Sequence, residues 1–489
     1  MQRLGDEAYR RWDPEVMRVI LDEMASSSKL TDAIQCLLSF LHRHMDSQHQ
    51  FSAARSYCLR ALAKQSGPLQ DNQAKLSELP GRIRSLLRHQ LIQLPLAAEE
   101  VALLVQRQKS PEALEKQLSL SLVEAVGSIV RRDAKLSTKL EKILESQRLS
   151  KSHAMTASIL FAADPSWRPS GQRSGVDFSG GYFSKAMWDG VSLVGLTLQL
   201  AEFNEAQLVG ACFDEAVVVE TDFVGANLQE SWFNKSLAVG ADFDRADLRS
   251  GKFHQAKLER ASFVKADLRK SDLWKANLCG ANLSGANCDE TNFTYAMLIG
   301  TKLHQASFQR ANLSKIDARR VDFRTVELAG ARLSLAWLNG ANFEDVLWDR
   351  AMFRKAKLRG ALLTGSRFRN ADFTEADLSE SCLSEIDWEY ADLRDANLTN
   401  ATFHMGSSRS GLVDSYFASE GTRTGFYTDD LEELYFKKPE AVRKANLRGA
   451  DLRGADITGV DFYLVDLRGA KLDPFQLHHA RQTGAILSE

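Results

Sequence analysis

The sequence predicts an α+β multidomain chain, an all-α N-terminal part followed by a long repeat solenoid. Three observations predict it. Between residues 178 and 403 an apolar or small residue recurs at every fifth position without a slip. Residues 1–165 carry helix-start signals and apolar residues spaced by three and four instead. Past residue 403 the register fails, and it resumes at Ala445. Neither the helical period of 3.6 nor the strand period of 2 accounts for a strict five.

The bulk properties bound the problem. A chain of 489 residues exceeds one compact core, so two or three structural units are expected. A formal net charge of −2 argues against a partner held by the whole molecule's field, so any charged partner must use local patches. No run of about 18 apolar residues is present, so membrane insertion is not expected. The opening MQRLGDEAYRRWDPE lacks the apolar stretch of a secretory signal, and six cysteines make no disulfide framework. A cytoplasmic, bacterial setting is the expectation.

Residues 1–165 read as an α-helical bundle of six to eight helices. Thr31-Asp32 precedes an apolar-periodic run to His44, and Ser110-Pro111-Glu112 opens a run through Leu114, Leu118 and Leu122. Leu136, Leu140, Ile143 and Leu144 make a further stripe. Breaks fall at Gly67-Pro68, Pro80-Gly81 and Pro95. Residues 166–175 read as the linker into the solenoid.

The five-residue register spans 46 positions from Phe178 to Phe403, of which 22 are Leu and 17 are Phe. Two places earlier in each pentad stands a small or β-branched residue, as in Ala241-Asp242-Phe243 and Ala281-Asn282-Leu283. Clear copies are ADLRK at 266–270, ANLCG at 276–280, ANLSG at 281–285 and ADLRG at 450–454. In these residues the chain resembles the pentapeptide-repeat family, with its A(D/N)LXX consensus. The resemblance implies a right-handed quadrilateral β-helix, four pentads to a coil. It also implies that the central residue and the small one before it point inward while the other three face water. Each inward Leu or Phe then contributes roughly 1.5–3 kcal/mol of burial. At a spacing of about 4.8 Å the stack is a filled rod, on the order of 55 Å long, which offers a surface and not a cleft.

The solenoid is expected over 176–405, with an insertion at 406–444, resumed pentads at 445–474 and a C-terminal cap at 475–489. The step from Phe403 to Leu447 is 44 residues, not a multiple of five. It marks either an insertion projecting from the rod or a break between two stacks. Asp473-Pro474 starts a terminal helix suited to shielding the last open coil.

Sorting by twenty separates the faces. The face led by Phe178 carries apolar residues at positions that should meet solvent: Val217, Val219, Leu237, Val239, Met297, Ile299 and Trp337. Docking of the helical part, a homodimer seam or a foreign partner would each suit them. A second outward column holds Lys235, Lys275, Lys315 and Lys355, interleaved with Gln255, Tyr295 and Leu335. Charge is segregated along the chain. Residues 201–247 hold ten acidic and two basic residues, 248–369 hold twenty-two basic and eleven acidic, and 370–395 hold nine acidic and one basic. A solvated surface explains such charge, and so does an electrostatic docking strip.

No P-loop, dinucleotide fingerprint, nucleophile elbow or zincin helix is present. His42, His44 and His49 with Cys36 and Cys58 fit no standard zinc spacing, and the insertion's Asp429, Asp430, Glu432 and Glu433 read as solvated. Neither a metal nor a cofactor is expected. The expected function is a non-enzymatic protein–protein interaction scaffold or adaptor, with a protein partner or a second copy and an accessory place in a larger bacterial machine. The alternative, implied by the resemblance, is a DNA mimic that binds a type II topoisomerase such as DNA gyrase. The basic middle departs from it, and direct nucleic-acid binding is not expected. A third possibility, an enzyme or toxin in the helical part, has no catalytic constellation behind it.

Overall fold

The computed structural model describes residues 97–98, 101–106, 112–169, 176–403 and 444–488. The expected helix after Thr31, the Cys36–Cys58 group and the acidic cluster at 429–433 lie outside the described residues. The chain divides into two compact units between Pro165 and Ser166.

In the first unit, helix α1 spans Leu120–Val130, α2 spans Ala134–Leu144 and α3 spans His153–Ala163. The run expected to open at Pro111 does not form one helix. A short 3-10 turn, Glu112–Leu114, comes first, and α1 starts only where the Ser119 hydroxyl accepts the Leu122 amide. Asp133 caps α2 by accepting the Lys135 and Leu136 amides, at 3.0 and 3.2 Å. The stripe Leu136, Leu140, Ile143 and Leu144 is buried as its spacing predicts. Helix α3 is buried on nearly every side, and its Thr156 and Ser158 hydroxyls donate back to the carbonyls of Ser152 and Ala154. Gly127 lets α1 approach it closely, since a Cβ there would stand 2.8 Å from the Ala162 Cβ. Arg131 donates to the carbonyls of Ala162 and Ala163 and so closes the C-terminal end of α3.

The second unit is a four-sided stack of coils. Parallel bridges join each residue before the central apolar one to its counterpart twenty residues on, as in Glu202–Asp222–Asp242 and Asn277–Met297–Asp317. One turn is therefore four pentads. Pairing is confined to one bridging residue per pentad, so the sides are single bridges separated by corners and not extended strands.

The pentad chemistry follows from where each amide goes. In the pentad 221–225, Phe223 N donates to Asp242 O (2.7 Å), Gly225 N to Asp244 O (2.9 Å) and Asp222 N to Ala201 O (2.9 Å). Ala226 N turns the corner onto Phe223 O (3.0 Å). The remaining amide, Val224 N, meets the Asp222 carboxylate at 2.9 Å. The same Asx-to-amide bond recurs at Asp242/Asp244, Asn282/Ser284 and Asn312/Ser314. At some positions where the bridging residue is not Asp or Asn, an Asx one coil below substitutes. Asp214 accepts from Asn234 N, and Asn234 in turn accepts from His254 N. The expectation that the Asp/Asn position simply faces water is corrected here. These side chains are mostly half-buried because they satisfy a backbone donor that nothing else reaches.

The fifth position turns the corner in the left-handed region, whether glycine or not. Gly225, Lys235, Arg245 and Glu375 have φ of 67, 55, 58 and 56°. Thr325 alone among the corner residues of 180–400 is β-branched and does not adopt it. There the Thr325 hydroxyl, and not a carbonyl, accepts the Gln305 amide, at 3.0 Å. The bridges expected for 302/322 and 327/347 are absent among the described residues.

Inside, the central side chains are almost fully shielded from solvent. Phe203, Phe223, Phe243 and Phe263 stack at 5.0–5.4 Å on one side, and Phe213, Phe233 and Phe253 at 4.5–5.0 Å on another. The two ladders meet edge to face. The stack continues across the insertion. Asp387, Asp392 and Asn397 bridge to Asn446, Asp451 and Asp456, which selects an insertion over a break. At the C-terminal end, helix α4 (Pro474–Thr483) starts on an Asp473 capping box. Gln476 donates to the carbonyls of Leu452 and Ala455, and His479 lies 2.6 Å from Val460 O, so α4 covers orphaned acceptors of the last coil. At the other end Trp188 Nε1 donates to Trp167 O at 2.7 Å, and the two rings meet edge-on at 5.9 Å.

Candidate partner-binding edge

The apolar group and the basic column converge. Pentads led by Phe213, Phe233 and Phe253 form one side of the rod, and those led by Val218, Ala238 and Leu258 form the next. The corner between them carries residues 235, 255, 275, 295, 315, 335 and 355, all at the left-handed position or stacked on it. Two residues on come Leu237, Met297 and Trp337. The two predicted sets therefore line one edge. The arithmetic of twenty carries this relation, since Leu237, Met297 and Trp337 each stand two residues after a position of the basic column.

Their exposure is uneven. Val217, Val219, Leu237, Val239 and Ile299 are half-buried, while Met297 and Trp337 are 41% and 48% exposed. Tyr295 and Leu335, which the sequence marked only as interruptions of a lysine column, are equally open. The column is not uniformly basic in effect. Lys235 reaches Glu215 at 3.4 Å and Lys355 reaches Glu375 at 2.9 Å. Lys275 and Lys315 meet no carboxylate among the described residues and flank the Tyr295 ring at 5.8 and 4.7 Å. The Lys315 ammonium also donates to the Tyr295 hydroxyl, at 2.7 Å. Trp337 is bracketed likewise by Arg319 at 5.6 Å and Lys357 at 5.4 Å.

This edge is built against local stability. Tyr295 and Leu335 hold φ of 64 and 61°, a conformation costing a non-glycine residue about 1 kcal/mol, and they bury little in return. Met297 and Trp337 stand where Asp or Asn would accept an amide. No acceptor among the described residues meets the amides of Ile299 and Asn339. Apolar side chains here replace a lock and remain in water.

Charge is segregated around the rod as well as along it. On the two sides meeting at this edge, the stacked segments 251–260, 271–280, 291–300, 311–320, 331–340 and 351–360 hold twelve basic and three acidic residues. The intervening segments 261–270, 281–290, 301–310, 321–330 and 341–350, on the opposite sides, hold seven basic and eight acidic. On all sides Asp and Arg also pair within one pentad, Asp317/Arg319 beside the edge included. Asp247/Arg249, Asp267/Arg269 and Asp392/Arg394 form bidentate forks at 2.6–3.1 Å.

Eight matches to the model of pentapeptide repeats cover residues 201–237, 221–260, 239–274, 252–285, 275–310, 306–345, 351–387 and 442–473. These stretches of the chain are pentapeptide repeats. The last match begins just before the resumed coils, in keeping with one pentapeptide-repeat stack on both sides of the insertion. Similar solved structures include HetL, a pentapeptide-repeat protein involved in heterocyst differentiation regulation from Nostoc sp. strain PCC 7120. It is 23% identical, with 60% of this chain and 88% of HetL covered, at a TM-score of 0.12. Full-length QnrB1, a plasmid-mediated fluoroquinolone resistance protein, is 17% identical over 33% of this chain and 84% of its own, at a TM-score of 0.17. Rfr23 from the cyanobacterium Cyanothece 51142 is 20% identical over 26% and 86%, at a TM-score of 0.10. At these scores the likenesses carry no argument. No curated protein matches the sequence. No helix of the described residues is long and apolar enough to cross a membrane.

Proposed function

We propose that this pentapeptide-repeat rod is a non-enzymatic protein-interaction scaffold that docks a protein partner along the edge bearing Tyr295, Met297, Leu335 and Trp337. One observation carries the reading. Four large apolar side chains stand in solvent at backbone positions where glycine or Asx would give a more stable coil. The filled interior supports it, because it leaves the working chemistry to the outside. An adaptor's place in a larger bacterial assembly in the cytoplasm is the finer form of the same proposal.

The test is affinity purification of the full chain and of a Met297→Asp/Trp337→Asp variant, with a photo-crosslinker placed at position 335. The wild type is expected to crosslink one partner, or a second copy of itself, and the variant to lose it. Equal capture by both, or no crosslink from position 335, would sink the reading.

A DNA-mimic role is a second reading, favoured by one feature. Glu202, Asp222 and Asp242 stack on consecutive coils with Asp244 beside them. Burial and the neighbouring carboxylates push Glu202 and Asp242 above the usual range. The basic edge opposes it. A DNA gyrase supercoiling assay unaffected by the purified protein, with and without a quinolone, would remove it.

A further inference from the structure

The edge also indicates what its partner is made of. We propose that the partner presents an acidic protein segment in which carboxylates alternate with apolar side chains. This inference rests on the interaction reading above and adds the chemistry of the ligand.

Charge complementarity carries it first. Between residues 251 and 360 the two sides meeting at the edge hold twelve basic against three acidic residues, whereas the opposite sides over the same stretch are balanced. Of those cations only Arg319, Arg354, Lys355 and Arg359 pair with a carboxylate among the described residues, and Lys275, Lys315, Arg320 and Arg332 are among the rest. A cation left exposed and unmatched beside apolar surface is cheap in water and gains most from an anion arriving with its own apolar flank.

Geometry then separates an acidic protein from a nucleic acid. Single strands are held by bases stacking on open aromatic faces. Here Tyr295 has Lys275 and Lys315 against its ring, and Trp337 has Arg319 and Lys357 against its own. A base would have to displace a cation from each ring before it could stack. A carboxylate needs only to approach those same cations from outside, while Leu335 and Met297 receive aliphatic neighbours. Lys275 and Lys315 stand two coils apart, about 9.6 Å, which falls between the roughly 6.8 and 13.6 Å that separate second and fourth neighbours on one face of an extended segment and is bridged by the length of the lysine side chains.

The test is fluorescence anisotropy with the full chain and three labelled probes, an alternating Glu-Leu peptide, an alternating Lys-Leu peptide and oligo(dT). The Glu-Leu peptide is expected to bind, more weakly as salt rises. Its affinity should fall about tenfold in Lys275→Glu/Lys315→Glu and stay unchanged in Lys265→Glu, on an opposite corner. Circular dichroism of each variant confirms that its coils are intact. Binding of oligo(dT) in preference to the peptide would overturn the inference in favour of a nucleic acid. Absence of Glu-Leu binding, or equal binding by both charge-reversal variants, would overturn it too. The crosslink from position 335 is read separately. A partner found there without an affinity for Glu-Leu sinks the acidic chemistry alone, and no partner there sinks the docking edge itself.

Discussion

Asn446 donates its side-chain amide to the Asp387 carboxylate at 2.9 Å across 59 residues of sequence. Asn292/Asp272 and Asn397/Asp377 make the same pairing twenty residues apart, so the step from Phe403 to Leu447 holds thirty-nine residues more than the ordinary five. Removing residues 404–442 restores a step of five from Phe403 to Leu447. The shortened chain is expected to keep the β-rich circular dichroism and the melting temperature of the parent. Removing two residues more should unfold the last coils, because every inward side chain beyond would slip off register.

Thr325 provides a second test. Its hydroxyl does the work of a ladder carbonyl for Gln305. Thr325→Val removes the acceptor and keeps the shape, so urea denaturation should show a loss of about 1 kcal/mol. Amide exchange at Gln305 should speed up with it.

Two buried tryptophans should differ although their positions look alike. Trp188 donates its indole N–H to Trp167 O, whereas the Trp388 indole N–H has no acceptor among the described residues. Both Phe variants lose the same volume. Trp188→Phe should therefore lower the melting temperature more than Trp388→Phe, since only the first gives up a hydrogen bond and leaves a carbonyl without its donor.

Acid should act on the carboxylates in opposite directions. The Arg453 fork holds Asp451 down at about 2, and Arg324 and Arg394 lower Asp322 and Asp392 despite partial burial. A carboxyl lowered by folding contributes stability above its unfolded pKa, and that stability is lost as pH falls through the folded value. Asp451→Asn is thus expected to cost about 1 kcal/mol at neutral pH, allowing for solvent screening, and progressively less as pH falls toward 2 and below. Asp242 is raised, by burial first and by Asp244 and Asp222 next. Its charge is a penalty above the folded pKa that is relieved as pH falls. Asp242→Asn should therefore raise the melting temperature at pH 7 and change it little in acid. Thermal melts across pH separate the two.

The period of five and the inward residues were legible in the sequence, because each is a repeating choice between apolar and polar. What escaped was chemistry hidden inside a polar choice. Asp222 and Asn282 read as solvent-facing, yet they close a backbone donor two residues on. Lys235 and Glu375 turn corners in a conformation that composition attributes to glycine. Thr325 could have been found as the sole β-branched corner residue between 180 and 400. The meeting of Trp337 with Arg319, eighteen residues back, needed the spacing of twenty to be applied across columns and not only down them.

The constant offset of twenty has an architectural consequence. A whole turn can be added or removed without rotating anything that follows. Such an edit would slide the Trp337 edge relative to the insertion by about 4.8 Å at fixed bearing. The molecule is in that sense a ruler with graduations, able to set how far apart two bound bodies are held.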